Sequence, residues 1–232
     1  MPQVRALDDE TEARLLSQQM GDTALTDRSA PNSAAAERTT VEIIEAAARC
    51  FGRWGIAKTT VDDIARDAGV SRATVYRYFS GGKDHLVGAV GIYEEGRFYA
   101  ELAPRLDGCT TLADTVTVAV LDASTFLRGH DLLDTLVRHE PERLLPHIAF
   151  DNLGPLLYRT TAFLTPHLER FLPDEEIAPV AEWTTRVVLS YWLEPSTRID
   201  PTTPEGARHL VTRYLLPGLD PAHRVAEAPI IL

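Results

Sequence analysis

The stretch TVDDIARDAGVSRATVYRYF, residues 60–79, decides the fold. It contains two short apolar-periodic segments joined by a tight turn, at the spacing of a helix-turn-helix unit. The spacing predicts that five of its side chains face inward: Ile64, Ala68, Val70, Val75 and Tyr78. The chain around this stretch is therefore predicted to be built on a pair of crossing helices.

The turn and the helix ends of this stretch carry their own signals. Ala65 is small enough for the two helices to cross closely, and Gly69 suits a left-handed turn because it has no Cβ. Thr60 is a candidate N-cap for the first helix, with Asp63 as its reciprocal partner. Ser71 is a candidate N-cap for the second. The second helix then presents Arg72, Thr74, Tyr76 and Arg77, groups that reach bases and phosphates.

Two readings of the stretch stay open at this point. An A-x-x-x-G-V-S string also occurs in helical hairpins that only pack, whereas the exposed cations and hydroxyls favour binding to double-stranded DNA. The flanking sequence favours the second reading. Upstream, ERTTVEIIEAAARCFGRWG predicts an amphipathic helix with Val41, Ile44, Ala48 and Phe51 on one stripe, ended by Gly52 and Gly55. Downstream, a Gly-Gly turn leads into a long helix over residues 82–103, ending at Pro104.

Together these segments resemble the TetR family of transcriptional repressors. The resemblance covers about 50 of the 232 residues. The residues that carry it are Phe51, Gly55, Thr59-Thr60-Val61, Ile64-Ala65, Ala68-Gly69-Val70-Ser71, Thr74-Val75-Tyr76, Tyr78-Phe79, Lys83-Asp84 and Leu86. One departure is the loop Ser80-Gly81-Gly82, which is one residue longer than is usual in the family.

The resemblance implies a DNA-binding transcriptional regulator, most simply a repressor that a small molecule releases from a palindromic operator. The predicted DNA-binding residues are Thr60, Ser71, Arg72, Ala73, Thr74, Tyr76, Arg77, Tyr78 and Lys83. Within this set, Arg72 and Thr74 are expected to read bases, while Tyr76 and Lys83 are expected to contact phosphates.

The distribution of charge along the chain fits a DNA-binding protein better than the net charge of the whole chain does. The whole chain carries a formal charge of −11, which is unusual for a DNA-binding protein. Residues 36–80 carry seven basic and six acidic side chains, however, while the segments before and after them are acidic. Acids such as Glu42, Asp62 and Asp63 are expected to lie away from the groove. The acidic remainder limits non-specific adhesion to DNA and argues against a nucleoid-type role.

Composition excludes several other classes. There is no apolar run long enough to span a membrane and no basic-then-apolar leader, so a cytoplasmic location is expected. Cys50 and Cys109 show neither C-x-x-C nor zinc spacing, and the seven histidines form no H-x-x-x-H pattern. No phosphate loop, nucleophile elbow or paired carboxylate motif is present. We therefore expect no enzyme activity, no metal and no cofactor.

The remaining sequence predicts an all-α protein. Residues 1–35 are expected to be a mostly disordered tail, 36–82 the helix-turn-helix domain, 83–220 a ligand-binding and dimerisation domain, and 221–232 a C-terminal tail. Apolar periodicity and proline positions predict helices over residues 110–128, 131–139, 141–150, 155–172, 174–193 and 203–216, with a kink or break at Pro166.

The resemblance implies that residues 174–193 and 203–216 form the interface of a homodimer. The predicted interface residues are Val180, Trp183, Val187, Val188 and Tyr191. An apolar or amphipathic effector is expected between the preceding helices. Its predicted wall is Phe98, Leu102, Phe126, Leu133, Leu136, Leu157, Tyr158 and Phe163, although each of these also suits plain core. The alternative function is a small-molecule-binding protein or enzyme that keeps the fold without binding DNA.

Overall fold

The computed structural model describes residues 32–142, residue 145 and residues 153–219. Within these ranges every regular element is helical, which confirms the all-α prediction. The helices are α1 Asn32–Lys58, α2 Val61–Asp67, α3 Arg72–Tyr78, α4 Lys83–Asp107, α5 Leu112–Gly129, α6 Asp131–His139, α7 Leu153–Leu168, α8 Asp174–Leu193, α9 Pro204–Leu210 and α10 Leu216–Leu219, with a π-helical turn at Val211–Leu215 joining the last two. Residues 1–31, most of the predicted 141–150 helix and the tail 221–232 lie outside the described residues.

The chain divides into two compact units. The helix-turn-helix unit consists of the described residues up to Gly96 together with those of 135–152, and the body consists of residues 97–134 and 153 onward. The boundary between the units follows Gly96 and not residue 82, where it was predicted, because the first half of α4 packs with the helix-turn-helix unit. Leu86 is fully buried there, and Tyr93 Oη donates a hydrogen bond to Glu45 Oε1 of α1 at 2.7 Å.

The core of the helix-turn-helix unit comes from the apolar faces of its helices. Ile43, Phe51, Ile64 and Val75 are almost completely inaccessible to solvent. The turn between α2 and α3 is closed by a hydrogen bond from Val70 N to Ala65 O at 2.9 Å. These contacts fix α3 against α2 and leave the side opposite Val75 facing out.

The body is held by one apolar cluster contributed by α4, α5, α7, α8 and the helices after residue 204. This cluster explains why two helices continue past prolines at which a helix end or a kink or break was predicted. Pro104 lies inside α4, which continues to Asp107 and buries Leu106 completely. Pro166 lies inside α7, which continues to Leu168, a residue that is 1% exposed, and ends before the predicted residue 172. A proline costs an intrahelical hydrogen bond, but a buried leucine beyond it offsets that loss.

Candidate nucleic-acid interface and effector region

Helix α2 begins with a complete capping box. Thr60 Oγ1 accepts from Asp63 N at 3.2 Å, and Thr60 N donates back to Asp63 Oδ2 at 3.1 Å. The hydrogen bonds from the Thr60 hydroxyl and backbone, with a smaller effect of Arg66, lower the pKa of Asp63 below its ordinary value. The predicted Thr60–Asp63 cap is therefore confirmed in detail.

The turn and the start of α3 also follow the sequence prediction. Gly69 has a φ of 69°, in the left-handed region that glycine adopts without steric cost. Ser71 caps α3 by accepting from Thr74 N at 3.0 Å. Ala65 is 4% exposed, as expected at a close helix crossing. Because α3 is only seven residues long, these end contacts satisfy a large share of its backbone.

One face of α3 is exposed and carries the predicted reading residues. Val75 is fully buried, while Arg72, Ala73, Tyr76 and Arg77 are exposed on the opposite side. Thr74 and Tyr78 are half-buried at the edges. The face thus combines two cations with aromatic and hydroxyl groups, the chemistry that contacts bases and phosphates.

Arg72 already has partners within the chain. Its Nη1 lies 2.7 Å from Asp62 Oδ2, and its guanidinium carbon lies 5.5 Å from the centre of the Tyr76 ring. A hydrogen bond with Tyr76, followed by the charge of Asp62, raises the pKa of Arg72. The expectation that Asp62 lies away from the reading face was wrong, because α2 and α3 cross with this carboxylate next to Arg72. Asp62 therefore holds the guanidinium over the Tyr76 ring.

Tyr76 rests on a glycine whose role was not recognised in the sequence. Gly82 has a φ of 62°, and a Cβ at this position would lie 3.2 Å from Tyr76 Cε1. The Gly82 N–H donates to Phe79 O at 2.8 Å, which closes the loop between α3 and α4. The unusual Gly-Gly sequence of this loop thus gives the Tyr76 ring room to lie against the backbone.

The Lys83 ammonium points into the unit. Its Nζ donates to Ile56 O at 2.8 Å, Thr59 O at 3.1 Å and Ala57 O at 3.4 Å. A lysine ammonium has three donors, so these carbonyl oxygens use all of them. In this conformation Lys83 caps the end of α1, and its phosphate contact stays a prediction.

Aromatic side chains in the body form a continuous row. Phe126 stacks on Phe98 with ring centres 4.7 Å apart, and Tyr99 stacks on Phe163 at 4.1 Å. Phe98 and Tyr99 join the two pairs at 5.9 Å. The structure therefore brings together three of the predicted ligand-wall residues: Phe98, Phe126 and Phe163.

The other predicted wall residues have different surroundings. Leu102 is buried in the body core, Leu133 and Leu157 are half-buried, and Tyr158 is 42% exposed. Leu136 is buried but belongs to the helix-turn-helix unit, because the second half of α6 lies in that unit. The aromatic row therefore contains three of the eight predicted wall residues, and a pocket formed by the whole set stays a prediction. Periodicity alone did not reveal which helix faces converge.

Two buried hydroxyls on α5 were missed by sequence reasoning. Thr117 Oγ1 and Ser124 Oγ are inaccessible and have no hydrogen-bond partner among the described residues. They lie seven residues apart, on one side of the helix. Such groups are costly unless satisfied, so these two hydroxyls are an unexplained polar feature of the apolar body. Both residues are small and stand among apolar residues of the same helix, so no sequence pattern indicated them.

The predicted dimer residues separate into two sets along α8. Val180 and Val188 are 1% and 5% exposed within the chain's own core, so they do not form an outward face. Trp183, Val187 and Tyr191 are only partly buried at the edge of that core. The helical period explains the division, because positions 180, 184 and 188 form the inward stripe.

The described residues show neither a metal-binding cluster nor a membrane-spanning helix. Among the described residues, His, Cys, Asp and Glu form no group of three that could hold a metal ion. No described helix is long and apolar enough to cross a membrane. Cys50 and Cys109 are buried free thiols, and burial is the main cause that raises the pKa of each.

Comparison with known proteins agrees with this geometry. Residues 43–90 match the sequence profile of the bacterial regulatory proteins of the tetR family. Over 91 residues the chain is 38% identical to the HTH-type transcriptional regulator SrpR of Pseudomonas putida, a match that covers 39% of this chain and 42% of SrpR. The chain thus spans about two-fifths of the length of that relative.

Two solved structures are similar over most of the chain. The TetR family repressor AlkX from a Dietzia strain has a TM-score of 0.59 at 20% identity, covering 82% of this chain and 97% of its own. The regulator FadR from Bacillus subtilis, solved with stearoyl-CoA, has a TM-score of 0.50 at 16% identity, covering 75% and 97%. At these identities the likeness establishes the fold.

Proposed function

We propose that this chain, a member of the TetR family of bacterial regulatory proteins, is a homodimeric transcriptional repressor that a largely apolar small molecule releases from a palindromic operator. The observation that carries the proposal is the exposed face of α3, where Arg72, Tyr76 and Arg77 lie opposite the fully buried Val75. A helix fixed on one side and cationic on the other is suited to insertion into the major groove.

Within that face we assign roles by position and chemistry. Arg72 and Thr74 lie in the first turn of α3, the part of a recognition helix that approaches base edges. Arg72 would exchange the Asp62 carboxylate for guanine acceptors, the commonest specific contact of arginine. Tyr76, resting on Gly82, offers its hydroxyl to a phosphate. Thr60, Ser71, Ala73, Arg77 and Tyr78 would border the same groove.

The homodimer is proposed from the outward side of α8 and the helices after residue 204. Trp183, Val187 and Tyr191 leave part of their apolar surface uncovered, and Tyr214 is 58% exposed. Large aromatic residues are enriched in stable interfaces. Two copies would place their α3 helices in successive major grooves, about 34–36 Å apart.

The effector is proposed to bind at the aromatic row of Phe98, Tyr99, Phe126 and Phe163. Their faces suit an acyl chain or a planar ring, and the unpartnered Thr117 and Ser124 hydroxyls suit a polar end group. AlkX is described as implicated in the biodegradation of n-alkanes, and the Bacillus subtilis FadR was solved with stearoyl-CoA. Alkanes, fatty acids and acyl-CoA esters are therefore the first compounds to test.

Fluorescence anisotropy with labelled duplex DNA from upstream of the chain's own coding sequence tests the function. We expect saturable binding that weakens steeply with salt, and competition by a site fragment but not by random duplex. Arg72→Ala should weaken operator binding on the order of tenfold to a hundredfold and relax base preference. Ser80→Ala, in the loop after α3, is the control that keeps all charges.

The alternative is a small-molecule-binding protein or enzyme on the same fold without DNA binding. It would be supported if no upstream fragment binds at low salt while apolar compounds still raise the melting temperature. The proposed repressor predicts both effects together: a compound at 100 times its Kd should add about 2.7 kcal/mol of stability. The same compound should release the operator.

A further inference from the structure

The corner between α1 and α2 is a break in regular helix that is held by side-chain contacts. Gly55 has φ 78° and ψ 162°, a conformation that interrupts α1 one turn before its end. Thr59, which is 1% exposed, donates from its hydroxyl to Gly55 O at 2.7 Å and to Cys50 O at 3.1 Å. Thr60, the N-cap of α2, follows at once. The conformation of residues 55–59 therefore sets where α2 begins.

A carboxylate from far along the chain holds the same corner. Ala57 N donates to Glu140 Oε2 at 2.9 Å, across 83 residues of sequence. The other oxygen, Glu140 Oε1, occupies the place that a Cβ on Gly55 would need. A glycine is required here both for its positive φ and for the close approach of the carboxylate.

Opposite charges thus grip one peptide group from its two ends. The Ala57 N–H donates to the Glu140 carboxylate, while the carbonyl of the same peptide group, Ile56 O, accepts from the Lys83 ammonium at 2.8 Å. This ammonium also donates to Thr59 O and Ala57 O. Hydrogen bonds with one charged partner are shorter and stronger than neutral ones. The corner is therefore fixed against rotation, and the direction in which α2 and then α3 leave it is fixed with it.

We infer that Glu140 is a positioning residue for DNA binding, acting through Ala57 and Gly55 on the orientation of α2 and α3. The inference rests on the proposed function. Glu140 follows α6 and lies outside residues 43–90, which match the family profile. The reading face of α3 thus depends on a side chain that the helix-turn-helix sequence does not contain.

The test compares full-length Glu140→Ala and Glu140→Gln with Glu142→Ala and Glu142→Gln. Glu142 is an exposed acid two residues away, so its variants reproduce the charge change without touching the corner. Binding to the upstream duplex is measured at several salt concentrations, well below the melting temperature. Amide hydrogen exchange at Ala57 and Val75 is followed by NMR.

We expect Glu140→Ala to weaken operator binding on the order of tenfold, the value of one charge-assisted hydrogen bond when all of it is lost. The salt slope should be unchanged, since no phosphate contact is removed. Exchange at Ala57 should accelerate while Val75 stays protected. Glu140→Gln keeps an acceptor oxygen and should recover most of the affinity, and both Glu142 variants should behave as wild type.

Three results would overturn the inference. The first is an unchanged operator affinity in Glu140→Ala. The second is a loss shared equally by the Glu142 variants. The third is faster exchange at Val75 together with Ala57, which would indicate general unfolding. If Glu140→Ala does not fold, the inference is tested on Glu140→Gln alone, which must then show wild-type operator affinity and slow exchange at Ala57. If wild type binds no DNA, the proposed function fails, whereas the Ala57 exchange still reports whether the contact at the corner exists.

Discussion

The helix-turn-helix unit and the body are stabilised in different ways. In the first, helices α2 and α3 have seven residues each, and their ends are satisfied by side chains that hydrogen-bond to the backbone. In the body, the longer helices α5, α7 and α8, which have 16 to 20 residues, pack in one apolar cluster, and most of their buried threonines bond to carbonyls of their own helix. Short helices leave most of their backbone groups without an intrahelical partner. The positions of the helices are therefore set by caps in the helix-turn-helix unit and by apolar packing in the body.

The largest effect should come from disturbing the packing of the body. Val188→Glu places a carboxylate in the cluster without a partner, at a cost on the order of 5 kcal/mol or more, comparable with the stability of a whole domain. We expect the loss of cooperative thermal unfolding by circular dichroism. Val187→Glu, one residue along on the partly buried side, should stay folded and sediment as a monomer. A folded dimer in Val187→Glu would move the interface elsewhere.

A backbone substitution in the helix-turn-helix unit should have a smaller but still clear effect. Gly55→Ala forces a Cβ into a conformation that is nearly exclusive to glycine and against the Glu140 carboxylate, so we expect a loss of about 1–3 kcal/mol. Gly52→Ala is the matched control, because a Cβ there meets nothing within 4 Å. It should stabilise α1 by about 0.5–1 kcal/mol. Urea unfolding of both variants measures the difference, and equal midpoints would contradict it.

Removing one cap from each unit compares the two directly. Thr60→Ala and Thr111→Ala each delete a hydroxyl that accepts from a helix N-terminus, at 3.2 Å and 3.1 Å respectively, and each should cost about 1 kcal/mol. Only Thr60→Ala should lower operator affinity, because α5 is held by packing along its length. Similar losses of affinity in both variants would show that the caps act only through overall stability.

The smallest effects concern pH. The Arg208 hydrogen bond lowers the pKa of Asp114 below its ordinary 3.8, so the stability that Asp114 provides is present at neutral pH and is lost as the pH falls through the lowered value. Burial raises the pKa of Asp122 despite its contact with Arg105, so its contribution is greatest in acid and is lost as the pH rises.

We therefore expect Asp114→Asn to lower the melting temperature at pH 7 and Asp122→Asn to raise it slightly. Both differences should disappear in acid, where the carboxyls of the wild type are protonated. Melting curves from about pH 8 down into acid below the lowered pKa of Asp114 test this sign difference. A higher melting temperature of Asp114→Asn at neutral pH would contradict the stabilising role given to the ionised Asp114 carboxylate.

The contrast between the units also explains what the sequence could predict. Thr60, Asp63, Gly69 and Ser71 act on neighbours three to four residues away, so their roles were correctly predicted from spacing alone. The Glu140 contact joins residues 83 positions apart, and no local pattern indicates it. Side chains that satisfy the backbone locally are visible in a sequence, whereas those that do so from a distance are not.

The body was predicted less completely for a related reason. Apolar periodicity located its helices but did not distinguish Val180 and Val188, which face the core, from Trp183, Val187 and Tyr191, which lie at its edge. Phe98, Phe126 and Phe163 converge in one aromatic row together with Tyr99, a convergence that periodicity did not indicate. Which apolar faces meet depends on helix crossing, and that depends on side-chain shape across the whole cluster.

The π-helical turn at Val211–Leu215 changes the phase of the last helix by one residue. In an unbroken α-helix the position seven residues after the buried Ala207 would face inward again, and that position is Tyr214. With the wider turn Leu215 is 7% exposed instead and Tyr214 is 58% exposed. A deletion of Thr212 would remove the extra residue, place Leu215 seven positions after Ala207 and leave both side chains in their present directions, so a genetic event of a single codon could convert the π-helical turn into regular α-helix without repacking the core.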